Sequence, residues 1–150
     1  MELTKNFNLN EFTFSETAIR LEIDNDIKIY PDKMENIKRL ANLMQQIRDY
    51  LNTPLIITSG YRSIALNDHL KSKRTSFHIL GLACDWKPVN IPLTEAMNQI
   101  IKNNLLMSKI DQLILEYPPE GWIHLSINVK NVNPRNQRLI ITKNGVKNFV

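Results

Sequence analysis

The chain has little of what would staple it or anchor it. Its 150 residues include one cysteine, Cys84. That excludes an intramolecular disulfide framework and a zinc finger built on several thiolates. The longest apolar runs, such as Ile79–Cys84, fall far short of the ~20 residues needed to span a bilayer. The start, Met1-Glu2-Leu3-Thr4-Lys5-Asn6, has no apolar stretch suited to a signal peptide, so synthesis and folding in a cytoplasm are expected. Glycine is scarce: Gly60, Gly81, Gly121 and Gly145 each stand where a turn or a close backbone approach fits. Aromatics are 7%, and 19 basic residues against 15 acidic ones leave a formal charge of +4. A nucleic-acid face shows a larger clustered excess, often with aromatics for stacking. The densest basic stretch, Lys71-Ser72-Lys73-Arg74, reads as solvated surface. Neither nucleic acid nor membrane is expected as a partner, although a mild positive field favours contact with an anionic polymer.

What is present is ordinary globular material, 43% hydrophobic and 23% charged, and residues 1–150 are expected to form one domain. Ser15 opens a short helix over Phe14–Ile23. Ile37, Leu40, Ala41, Met44, Ile47 and Leu51 recur at three- and four-residue steps. This spacing predicts a helix over Pro31–Leu51, with Pro31 in its first turn and Asn52-Thr53-Pro54 ending it. Leu55–Thr58 reads as a buried strand running into a turn at Ser59–Ser63. A short helix over Leu66–Leu70 and a strand over Gly81–Trp86 follow. Thr94 caps a helix over Glu95–Asn103. Asp111–Glu116 and Trp122–Asn128 read as strands. Arg138–Thr142 and Val146–Val150 flank Lys143-Asn144-Gly145, a hairpin signal. Helices come first and strands cluster later, so the expected class is α+β with a mostly antiparallel sheet.

Three polar residues stand among apolar strand residues: His78, Asp85 and His124. On an alternating strand, Trp122, His124 and Ser126 share one face, and Ile123, Leu125 and Ile127 the other. Asp85 shares a face with Ala83, while Cys84 points into the core. Two imidazoles and a carboxylate are a zinc ligand set that keeps a fourth position for water. Spacing alone leaves a second reading open, in which each histidine is a surface or hydrogen-bonded core residue. His69, after Asp68 on a surface helix, fits no ligand position.

The wider pattern is more specific. Ser76-Phe77-His78-Ile79-Leu80-Gly81-Leu82-Ala83-Cys84-Asp85 reads as S-x-H-x-x-G-x-A-x-D. It resembles the signature of the M15-type zinc peptidases, the D-Ala-D-Ala carboxypeptidase and phage endolysin group that shares its fold with Hedgehog signalling domains. Ile57-Thr58-Ser59-Gly60-Tyr61-Arg62-Ser63 resembles their TSGYRS turn, and Trp122-Ile123-His124-Leu125-Ser126 their W-[VI]-H-[VL]-S strand. Asp111–Glu116 is similar to the segment before that strand, and Leu3–Phe12 to the start of short phage-encoded members.

This resemblance implies a Hedgehog/DD-peptidase-like fold and zinc (Zn2+) held by His78, Asp85 and His124. It implies that Arg62 grips a substrate carboxylate or polarises the scissile carbonyl, that Ser76 lines the pocket, that Tyr61 lines the cleft or simply packs, and that Gly81 lets the backbone pass close to the metal. Several members carry an acid three residues before the second histidine, where this chain has Gly121. The general base is therefore assigned to Glu116, with Glu120 as the alternative. The implied chemistry is hydrolysis of amide bonds in peptidoglycan stem peptides by a carboxypeptidase or endopeptidase. Glu116 takes a proton from the attacking water, and Arg62 helps to stabilise the oxyanion. The chain is expected to be a monomer and a virus-encoded cell-wall hydrolase. It would be made in the bacterial host cytoplasm and act at the wall after release or as part of a virus particle. Two rivals remain: a non-catalytic structural or wall-binding module that retains the fold, and a nucleic-acid-associated protein supported by charge alone.

Overall fold

A computed structural model describes residues 1–150. Along the chain come α1 (Leu9–Thr13), α2 (Glu16–Arg20), α3 (Pro31–Leu51), β1 (Leu55–Ser59), α4 (Ile64–His69), a 3-10 turn (Phe77–Leu80), β2 (Ala83–Pro88), α5 (Leu93–Lys102), α6 (Asn104–Met107), β3 (Gln112–Glu116), β4 (Trp122–Ser126), β5 (Gln137–Thr142) and β6 (Gly145–Asn148). The long helix follows its apolar stripe: Ile37, Leu40, Ala41, Met44 and Ile47 are fully buried. Pro31 opens it, and Asn52, in the left-handed region at φ 50, closes it. Ser15 caps α2 by accepting from the Ala18 N–H at 3.1 Å, but that helix ends at Arg20, short of Ile23. Thr94 does not cap α5. Pro92, whose fixed φ suits an extended cap, starts that helix two residues earlier and leaves Thr94 on its exposed side. Two short helices escaped the sequence reading. In α1 the Glu11 carboxylate accepts from the Asn8 N–H at 2.6 Å, and in α6 Asn103 accepts from the Leu106 N–H at 3.0 Å.

The strands form one sheet in the order β1-β2-β4-β3-β5-β6. It is mixed, which corrects the expectation of a mostly antiparallel sheet: β5 runs parallel to β3, pairing Gln112 with Gln137 and Glu116 with Ile141. The reason is the connection after β4. Ser126 ends β4 opposite Gln112 at the start of β3, and residues 127–136 pass over that end of β3 to begin β5 on its far side. Asp111, fully buried, fastens this connection. Its carboxylate accepts from Asn128 Nδ2 at 3.0 Å and from Arg135 N, Nε and Nη2 at 2.9, 3.0 and 2.6 Å. Thr142 pairs with Gly145, so β5 and β6 form the hairpin that Asn144-Gly145 signalled.

Alternation divides the sheet into two faces. Cys84, Trp86, Leu113, Leu115, Ile123 and Leu125 point to one side and join the apolar residues of α3 and α5 in a single core. Trp86 is 0% exposed. Burying a side chain of that size contributes on the order of 3 kcal/mol. The opposite face carries Asp85, His124, Ile114 and Glu116, covered in part by the loops around residues 60–80.

Candidate metal centre

The register of β2 against β4 sets Asp85 directly opposite His124. Directly opposed residues on one face are near neighbours. Here Asp85 Oδ1 lies 2.9 Å from His124 Nδ1. His78 arrives from the 3-10 turn, whose start is capped by Ser76: its hydroxyl accepts from the His78 N–H at 3.3 Å. His78 Nε2 stands 3.6 Å from the same Oδ1. His78 Nδ1 donates to the Gly60 carbonyl at 2.7 Å, which fixes the tautomer and turns the Nε2 lone pair toward Asp85. The Arg62 N–H donates to the His78 carbonyl at 3.1 Å, joining the two motif turns.

The ligand atoms of His78, Asp85 and His124 all lie within 4.8 Å of one another. A tetrahedral zinc with bonds of about 2.0–2.2 Å holds its ligand atoms about 3.3–3.5 Å apart. The two contacts of 2.9 and 3.6 Å to Asp85 bracket that spacing. Two neutral-capable imidazoles, one of them tautomerically fixed, and one carboxylate fit zinc.

The electrostatics follow from burial and pairing. Burial alone would push the Asp85 carboxyl up, but hydrogen bonds and charge from His124 and His78 hold it well below the usual range. Burial pushes His78 down, which favours its neutral form, against the pull of Asp85. Burial also lowers Arg62, while Asp85, 3.7 Å from its Nη2, and Glu116 act to raise it. The Glu116 carboxyl is raised by burial and then by the Asp85 charge; His124, the Trp122 indole N–H and Arg62 oppose this.

A cavity of about 280 Å3 brings together Arg62, Ser76, His78, Asp85, Glu116 and His124, with Ser72 and Trp122 also in its wall. Glu120 is exposed in the β3–β4 turn and lies outside it. Gly121 explains the arrangement at that turn: a Cβ there would overlap the Glu116 carbonyl oxygen, so no acidic side chain fits. Tyr61, given the cleft as one of two expected places, is not brought to it. It is 2% exposed, lies in the apolar core and lends the region only backbone, its N–H donating to the Phe12 carbonyl at 2.6 Å. Gly81, expected to pass close to the metal, instead passes close to α3: at φ 70 it ends the 3-10 turn, and a Cβ would press on the Lys33 carbonyl at 2.9 Å. Cys84 is fully buried on the core side, where burial raises its thiol, and His69 is exposed outside the cluster.

Sequence reasoning missed four contributors. Ser59 accepts from Arg62 Nη2 at 3.2 Å, and it stands inside the motif that marked Arg62. Trp122 shares the face of His124, so alternation was the signal for it. Ser72 lies in the basic stretch read as surface. The Gly60 carbonyl has no side-chain signal, since any residue carries one.

Among known families, residues 5–126 match the model described as Peptidase M15. No curated protein matches the chain.

Proposed function

The chain belongs to the M15 peptidase family, and from that premise we propose that it hydrolyses amide bonds in bacterial peptidoglycan peptides with zinc held by His78, Asp85 and His124. The observation that carries this is convergence: three ligand atoms, a carboxylate and a guanidinium meet in one small cavity. Zinc bound there would make an attacking water more acidic and polarise the scissile carbonyl. The Glu116 carboxylate accepts the water's proton and then delivers it to the leaving amine nitrogen. Arg62, steadied by Ser59 and Asp85, presents fixed donors to the oxygen where negative charge develops. Gly60 holds His78 in its ligating tautomer. Ser72, Ser76 and Trp122 complete the wall around the reacting atoms.

We further take residues 1–150 as one Hedgehog/DD-peptidase-like domain that works as a monomer. It is a virus-encoded hydrolase that reaches the wall after release or as part of a particle. Against the non-catalytic alternative stands the place of Glu116: the acid missing at position 121 has a counterpart in the cavity. The test is mass spectrometry of purified wall after digestion by zinc-loaded protein, beside metal analysis. New amine and carboxyl ends within stem peptides support the reading, and an intact wall with one zinc per chain defeats it.

A further inference from the structure

The site cavity opens into a larger groove of about 840 Å3 along the open face of the sheet. The two spaces share Ser72, Ser76, Glu116 and His124. Gln112, Ile114 and Ile141 line the groove on the sheet side, and Lys73, Phe77 and Arg135 line it as well. These two cations answer differently to the rest of the molecule. In the basic stretch, Arg74 is spent on Asp68 at 2.6 Å, whereas Lys73 pairs with no carboxylate. Arg135 directs Nε and Nη2 at the buried Asp111, which leaves Nη1 without a protein partner. Its guanidinium carbon lies 5.7 Å from the Phe77 ring centroid, and its side chain is still 52% exposed. A guanidinium held by a buried carboxylate and over an aromatic ring loses little freedom when it binds an anion.

We propose that Lys73 and Arg135 form an anion subsite that holds a carboxylate on the substrate peptide, away from the bond being cut. The proposal rests on the peptidase reading above. Continuity of the groove with the cavity favours an anion attached to the substrate itself. A peptide with its scissile bond at Glu116 and His124 lies along Ile114 and Ile141 and brings a neighbouring carboxylate to the two cations. Amidation of that carboxylate removes the charge and weakens binding.

The experiment is a binding titration of zinc-loaded Glu116→Gln protein, which keeps the peptide uncut. Two stem peptides are compared, identical except that one side chain away from the scissile bond ends in a free carboxylate or a primary amide. The carboxylate form is expected to bind about fivefold tighter at low salt, with the advantage shrinking as salt rises. Lys73→Glu is expected to reverse the preference, an outcome that loss of folding could not imitate. Lys73 is chosen because Arg135 also supports Asp111. Equal binding of the two peptides, or a preference unchanged by Lys73→Glu, overturns the subsite and leaves the peptidase reading standing. Lys73-dependent binding of a glycerol phosphate oligomer, with the two peptides bound equally, assigns the anion to a wall polymer and overturns the peptide carboxylate. Failure to bind either peptide, with no cleavage of either by the wild type, overturns both.

Discussion

Asp85 on β2 and Asp111 just ahead of β3 are two buried aspartates, 8% and 0% exposed. Partners hold both carboxyls below the ordinary range against the opposing pull of burial. Their partners differ in kind. Asp111 is met by the Arg135 guanidinium and by the Asn128 amide N–H, donors that turn no lone pair toward it, while the Asn128 oxygen accepts from Val129 N–H instead. Asp85 is met by His78 and His124, whose ring nitrogens can release a proton and turn lone pairs inward. So a buried carboxylate does not by itself mark a site; the lone pairs around it do. One cluster fastens the connection between β4 and β5, and the other can hold a metal.

The sharpest way to break this comparison is to neutralise each aspartate in turn. Asp85→Asn is expected to lose zinc and all measurable hydrolysis while remaining folded. Asp111→Asn is expected to keep one zinc per chain. Elemental analysis of both proteins, freed of loose metal, decides it; zinc retained by Asp85→Asn would erase the distinction.

Next in size is the base. Glu116→Gln should retain fold and zinc and lose ~10²–10⁴-fold in rate. Glu120→Gln should stay within about twofold, as expected for a solvated carboxylate outside the cavity. A large loss at Glu120 with near-normal Glu116→Gln would exchange their roles.

Stability separates the clusters further. Asp111→Ala should destabilise the fold by about 2–3 kcal/mol in denaturant unfolding. Arg135 and Asn128 lose their acceptor, yet Arg135 is exposed enough to turn to water, which tempers the cost. Little change would mean that the parallel β3–β5 pair holds without its fastening.

The smallest expected effect is acid dependence. Because the folded-state pKa of Asp111 is lowered, its contribution is present above the ordinary aspartate range. It fades below about pH 4, as pH falls toward the lowered folded-state value. Thermal unfolding of Asp111→Asn should therefore show a shallower loss of stability with acid than the wild type. Parallel curves would remove Asp111 from the account.

Much of this was legible in residues. The α3 stripe, the Asn144-Gly145 hairpin and the alternation around His124 are local patterns with fixed periods, so they could be read without coordinates. The parallel placing of β5 could not, because nothing in Gln137–Thr142 says which edge of the sheet it joins. That was settled by Asp111 reaching Asn128 and Arg135, residues 17 and 24 positions away. Tyr61 shows the limit of a motif: it stands beside Arg62 in sequence, yet only packing decided that its ring enters the core.

By itself, the sequence determined which side chains are candidate ligands, their order along the chain and which strand residues share a face. Side-chain chemistry and backbone period are properties of the chain alone. Only the tertiary structure decided that Glu116 and not Glu120 reaches the cavity, that Gly60 orients His78, and that Lys73 and Arg135 share one groove. Each of these depends on strand register and loop path, which arise when distant segments bury their apolar faces together.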